Sequence, residues 1–155
     1  MTHSEELASA LNDLVLINND RIEGYQKAIE TLDDKDVDLK TLFNKMISNS
    51  HNHLSELGRL ISQSGERVEE GTTTSGKIFR TWMSVKSAFT TDDRTSTLES
   101  CVTGEDAALK AYDLALVSDA EMSSDVRQTL MDHRSSIKSD QIQIKALRDL
   151  HQQLD

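Results

Sequence analysis

Proline is absent from this chain of 155 residues, and glycine occurs only six times. Proline breaks helix interiors and glycine weakens them, so their scarcity favours long, uninterrupted helices. Apolar residues make up 36% of the chain, which suits amphipathic helices in a bundle better than a deep multilayer core. No apolar run approaches the roughly 18 residues that a membrane-spanning helix needs. We therefore expect an all-α protein that does not cross a membrane.

Cysteine is nearly absent as well, since Cys101 is the only one. A single cysteine forms no internal disulfide, which fits a reducing compartment. The first residues show neither the basic stretch nor the apolar core of a secretory signal, so we expect a cytoplasmic location. Because Cys101 falls near the apolar stripe of the third long helix, we expect a small buried thiol rather than a nucleophile.

The charge of the chain is strongly acidic. Asp and Glu outnumber Lys and Arg by 27 to 17, which gives a net charge of -10. Nucleic-acid binding requires basic patches that face phosphates, and anionic membrane surfaces attract basic segments. We therefore expect neither nucleic acid nor a membrane surface among the partners.

Apolar residues recur at alternating steps of three and four, which predicts amphipathic helices. Ser4 is expected to cap the first helix, and Gly65 to follow the end of the second. The long connection after Gly65 is expected to run back along the bundle and to contain a short helix. The sequence thus predicts one domain, residues 1–155, with an all-α, ferritin-like four-helix-bundle fold and a long crossover. The predicted helices span about residues 4–32, 36–64, 76–89 (the short extra helix), 92–118 and 124–153.

Polar residues interrupt all four apolar stripes near their middles. In an antiparallel hairpin, residues equidistant from the turn face each other, which brings these interruptions to about the same height. Buried polar groups are costly unless they are paired or coordinate something. The pattern therefore predicts either a hydrogen-bonded layer or a binding site inside the bundle. The interrupting residues are Asn18, Ser50, His53, Glu105 and Gln141.

Ferritin-like di-metal proteins hold their ligands at this height. They use a Glu on each of two helices and Glu-x-x-His on each of the other two. Here Asn18 and Ser50 stand where acids are needed. We therefore expect no cofactor and a hydrogen-bonded layer that fixes the register of the helices. The alternative is one Zn or Fe ion held by His53 and Glu105.

The predicted crossover helix, residues 76–89, has a strongly apolar side. Its aromatic residues are Phe79, Trp82 and Phe89. We expect this side to pack on the bundle and cover it. The alternative is a dimer interface, because aromatic side chains are common at interface cores.

Several strings of the sequence resemble a known family. They include Ile17-Asn18-Asn19-Asp20-Arg21-Ile22-Glu23-Gly24-Tyr25 in the first helix and Gly104-Glu105-Asp106-Ala107-Ala108-Leu109-Lys110-Ala111-Tyr112 in the third. The chain resembles an uncharacterised bacterial family of ferritin-like four-helix-bundle proteins, a domain of unknown function. The resemblance extends over nearly the whole chain. It implies a ferritin-like fold and no established activity.

These features favour a structural or protein-interaction module over an enzyme. A homodimer is expected, and a stress-related role follows only from analogy with other proteins of this fold. The competing hypothesis is a metal-binding, ferritin-like protein with a single ion or a degenerate di-metal site.

Overall fold

A computed structural model describes residues 2–69 and 94–154 of the chain. This part contains four α-helices and no strand, which confirms the all-α prediction for the described residues. The described helix ends lie within two residues of the predicted ones, and the predicted start of the third long helix, at residue 92, lies outside the described residues. The predicted helix at 76–89, with Phe79, Trp82 and Phe89, lies outside the described residues. The helices are α1 (His3–Thr31), α2 (Val37–Gln63), α3 (Arg94–Leu116) and α4 (Ser124–Leu154).

The helices pack as a four-membered ring. α1 contacts α2 and α3, and α4 contacts α3 and α2. α1 therefore lies diagonally across from α4, and α2 diagonally across from α3. No helix in the described part of the chain is both long and apolar enough to cross a bilayer.

Polar contacts at the two ends of the bundle give the helix directions. Arg94, at the start of α3, donates to Asp36 and, at 2.9 Å, to Asp38, so the starts of α2 and α3 lie at the same end. At the other end, Asn12 of α1 donates to the carbonyl of Arg67, just past α2, at 2.9 Å. α2 and α3 therefore run in the same direction.

The first helix begins earlier than the sequence predicted. Thr2 has an extended backbone, and its hydroxyl accepts a hydrogen bond from the Glu5 amide at 3.2 Å. The prediction that Ser4 caps this helix was wrong, because Ser4 already lies within the first turn. A cap must precede the helix to satisfy the amides of the first turn.

The end of α2 agrees with its sequence signal. Gly65 has φ +83°, a conformation in which other residues are strained. Its amide donates to Ser62 O at 3.0 Å, and the Glu66 amide donates to Ile61 O at 3.3 Å. These two hydrogen bonds form a Schellman motif, which satisfies carbonyls that the helix leaves unpaired.

The core consists of two apolar clusters with a polar layer between them. The first includes Leu11, Leu57 and Leu130, all fully buried. The second includes Phe43 and Ile144. Cys101 is buried in the second cluster, as predicted for a small thiol. The polar side chains between the clusters are therefore enclosed on both sides by apolar residues.

Candidate functional site

All five residues predicted to interrupt the apolar stripes are buried. Asn18, Ser50, Glu105 and Gln141 have no exposed surface, and His53 is 5% exposed. The structure divides them among three separate groups of hydrogen bonds, instead of the single network that the sequence suggested. Each group also contains residues that the sequence analysis did not place in the polar layer.

The first group centres on Arg21, which is fully buried and was missed in the sequence. Its Nε and Nη2 atoms donate to the two carboxylate oxygens of Glu105, both at 2.7 Å. Nη1 donates to Ser50 Oγ at 2.8 Å, and Nη2 lies 3.4 Å from Asp140 Oδ2. Asp140 also accepts from Asn49 Nδ2, at 3.2 Å. All four helices therefore contribute a side chain to one buried ionic group.

Helical geometry explains how Arg21 reaches the core. It follows Asn18 by three residues and precedes Tyr25 by four, and residues at these spacings lie on the same helix face. Its neighbour Ile22 is also buried, so the inner face of α1 is wider at this level than a single apolar stripe. This spacing could have identified Arg21 as a buried residue from the sequence. It was overlooked because arginine usually lies on the surface.

The electrostatics of the pair reflect two opposing effects. Burial by itself lowers the pKa of Arg21, but Glu105, together with Tyr25 and Asp140, more than offsets burial, so that pKa lies above its ordinary value. For Glu105, burial raises the pKa, while Arg21 opposes this rise. The bidentate geometry is that of an ionised pair, because both carboxylate oxygens accept hydrogen bonds from the guanidinium.

The second group links Asn18 to two histidines through a tyrosine. Asn18 Nδ2 donates to Tyr112 Oη at 3.0 Å, and Tyr112 Oη lies 3.0 Å from His133 Nδ1. Asn18 Oδ1 lies 3.2 Å from His53 Nδ1, and His133 Nε2 lies 3.2 Å from Glu56 Oε1. Tyr112 and His133 were not assigned to the layer from the sequence.

The two imidazoles of this group stack on each other. The ring centroids of His53 and His133 are 4.2 Å apart, with 25° between the ring planes. Burial lowers the pKa of His53 to about 3, with further lowering by His133 and Arg21. Burial also lowers the pKa of His133, although Glu56 opposes it. Both rings are therefore neutral near pH 7.

Gln141 forms the third group, beside the other two. Its Nε2 donates to Val102 O at 3.1 Å and to Asp106 Oδ1 at 2.6 Å. Lys138 Nζ lies 3.3 Å from Gln141 Oε1. None of these contacts joins Gln141 to His53 or to Glu105, the two other layer residues with ionisable side chains. Asp140, the preceding residue, is the side chain of α4 that reaches the ionic group.

The two candidate metal ligands have different partners. Both oxygens of Glu105 accept from Arg21, whereas His53 Nδ1 faces Asn18. Across residues 2–69 and 94–154, no three His, Cys, Asp or Glu side chains are grouped so as to hold a metal ion. The described contacts of the layer are thus an ion pair and hydrogen bonds, some of which go to the carboxylates of Glu56 and Asp106.

A cleft of about 470 Å³ lies between α1 and the residues that follow α2. Asn12 forms part of its wall and also accepts from the Glu69 amide at 2.7 Å. Burial raises the pKa of Asp13, another wall residue. The cleft shares no lining residue with the polar layer.

Comparison with known proteins gives a family without an assigned activity. Residues 6–118 match the family described as a domain of unknown function (DUF2383), and this stretch covers the members of all three hydrogen-bonded groups except those on α4. No curated protein matches the chain. The match covers most of the chain, including α1, α2 and α3. The chain therefore belongs to the DUF2383 family of proteins, whose function is unknown.

Proposed function

We propose that this protein is a ferritin-like four-helix bundle in which a buried ion pair stands where related folds hold metal. The observation that carries the proposal is the pairing of Arg21 with both oxygens of Glu105 in the middle of the bundle. The helix directions support the ferritin-like assignment. Two antiparallel hairpins with α2 parallel to α3 are what a bundle with one long crossover has.

The charge of the layer argues against a di-metal centre. Such a centre uses several carboxylates to neutralise two cations. Here the guanidinium of Arg21 already neutralises Glu105 and approaches Asp140. A divalent ion at Glu105 would have to displace this cation or lie close to it, and like charges at short range repel strongly in a buried site.

In this proposal the protein is not an enzyme, and it acts in the cytoplasm as a structural or protein-interaction module. Exposed apolar side chains support an interaction role, since Leu114 is 65% and Val117 78% exposed near the end of α3. Exposed apolar patches often mark protein contacts. We expect a homodimer, which buries either these two residues or the predicted aromatic set of Phe79, Trp82 and Phe89.

Elemental analysis tests the absence of a metal centre. The protein is purified without added metal or chelator, and its metal content is compared with that of Glu105→Gln. Asp113→Asn, an exposed carboxylate on the same helix, serves as the matched control. We expect far less than one ion per chain in all three. About one ion per chain, lost only in Glu105→Gln with the helix content retained, would overturn the proposal.

Light scattering after size exclusion tests the interaction role. We expect a particle of twice the 17.3 kDa chain mass. Leu114→Ser with Val117→Ser, and separately Trp82→Ser, show which apolar set the dimer buries. A monomer at every concentration would contradict the homodimer.

A further inference from the structure

Several polar contacts join α2 to α4 in the middle of the bundle. These helices pack less extensively than the other three adjacent pairs. His53 of α2 stacks on His133 of α4, and His133 also contacts Glu56 of α2. Asn49 of α2 donates to Asp140 of α4. Two imidazoles therefore lie face to face between the two adjacent helices that pack least extensively.

The hydrogen-bond directions define the proton positions on both rings. Asn18 Nδ2 donates to Leu14 O and to Tyr112 Oη, so Asn18 Oδ1 accepts and His53 Nδ1 carries a proton. Tyr112 Oη accepts from Asn18 and therefore donates to His133 Nδ1. His133 then carries its proton on Nε2 and donates to Glu56. Each ring has one proton on its nitrogens, and this neutral state provides a donor and an acceptor for every hydrogen bond from His53 to Glu56.

We propose that the His53–His133 stack is an acid-sensitive latch, whose protonation separates α2 from α4 in the middle of the bundle. A second proton on His133 Nδ1 would face the hydroxyl proton of Tyr112. The hydroxyl would have to rotate away and lose its acceptor. If both rings were protonated, two positive charges would lie about 4 Å apart, in a buried site where repulsion is weakly screened. This inference does not depend on the proposed function.

Charged and titratable groups from all four helices act on the stack. Arg21 of α1 disfavours a charge on His53. Glu56 of α2 and Asp132 of α4 favour a charge on His133. Tyr112 of α3 is neutral, because burial raises the pKa of its hydroxyl. We therefore expect His133 to take the first proton, and its positive charge then disfavours protonation of His53.

The direction of the pH effect follows from the lowered pKa values of both rings. A buried histidine with a lowered pKa contributes full stability above its unfolded value, near 6.5. That contribution is lost as the pH falls toward the folded value, about 3 for His53. At pH 5, His53 alone should raise the unfolding equilibrium constant about 30-fold over its value at pH 7.5.

Denaturant unfolding at pH 7.5 and pH 5.0 tests the latch. The comparison uses the wild type, His53→Gln with His133→Gln, and His51→Gln, an exposed control two residues from His53. On acidification, the unfolding equilibrium constants of the wild type and the control should rise by a factor at least ten times larger than that of the double variant. An equal loss in all three would overturn the proposal.

Wild-type measurements keep the test decisive if the double variant does not fold. Hydrogen exchange, corrected for intrinsic rates, should show faster opening of α2 and α4 near residues 49–56 and 133–140 at pH 5.0. α1 and α3 near Arg21 and Glu105 should open less. Uniform acceleration across all four helices, or none, would contradict a latch between α2 and α4.

Discussion

Arg21 and Glu105, which are 84 residues apart in the sequence, join α1 to α3 through two hydrogen bonds of 2.7 Å. Neither side chain has any exposed surface. A paired buried charge adds little net stability, because desolvation offsets the attraction, but an unpaired one is strongly destabilising. The contribution of each residue to the stability of the fold therefore depends on the presence of the other.

Arg21→Met is expected to lower the free energy of unfolding by about 3–5 kcal/mol, because it leaves Glu105 buried without its partner. Adding Glu105→Leu should restore most of the loss, and apolar replacements of buried ion pairs are often stabilising by about 1–4 kcal/mol. Urea unfolding followed by circular dichroism measures both. Arg134→Met, which breaks an exposed contact with Asp113, is the control and should cost less than about 1 kcal/mol. If Glu105→Leu lowered the free energy of unfolding further when added to Arg21→Met, the two residues would not be energetically coupled.

Tyr112→Phe removes the hydroxyl that joins Asn18 to His133. We expect a loss of about 1–3 kcal/mol in the free energy of unfolding, since buried polar groups lose a partner. Ser135→Ala, on the exposed face of α4, should change it by less than about 0.5 kcal/mol. Thermal unfolding of the three proteins makes the comparison. If Tyr112→Phe behaved like the Ser135 control, the hydroxyl would have no structural role.

Two glycines near the end of α2 should respond to alanine in opposite directions. Gly65→Ala places a side chain at φ +83°, where it meets no atom within 4 Å, so its cost of about 1–2 kcal/mol comes from the backbone alone. Gly58→Ala lies inside the helix, where a methyl group would meet Val68 at 3.9 Å, an ordinary contact. It should stabilise by up to about 1 kcal/mol. The same sign for both variants in denaturant unfolding would be inconsistent with the Schellman motif.

Cys101 should resist alkylation in the folded protein. It is fully buried, and burial raises the pKa of its thiol, so little thiolate is present or accessible. A thiol reagent at pH 8 should react slowly in buffer and rapidly in urea. Ser135→Cys in a Cys101→Ala background supplies an exposed thiol on the described surface as the control. Equal rates for the two thiols in buffer would show that the second apolar cluster opens readily.

Much of the fold was predictable from the sequence, because apolar periodicity determines where amphipathic helices lie. The predicted helix bounds and the positive-φ glycine at Gly65 follow from local rules that the structure obeys. The cap of α1 was misplaced because Thr2 and Ser4 both carry a suitable hydroxyl. A choice between two such residues depends on backbone conformation, which the sequence does not display.

The polar layer was predictable in part. Its interruptions appear as gaps in apolar stripes, and all five gap residues are buried. Arg21 was missed because arginine is usually exposed, and only its spacing from Asn18 places it inward. Tyr112 and His133 were missed because their rings fit an apolar stripe, while their polar atoms matter only across helices. Pairing between distant helices is a tertiary property that periodicity does not reveal.

The parallel course of α2 and α3 has a consequence for how the chain folds. Each hairpin joins helices that are neighbours in sequence, so α1 with α2 and α3 with α4 need only short loops to meet. Docking the hairpins requires closure of a much longer loop, which carries a larger entropic cost. Arg21 thus stays hydrated in an isolated first hairpin and loses water only when α3 arrives with Glu105. We expect the ionic group to form late, with its substitutions changing the unfolding rate more than the folding rate.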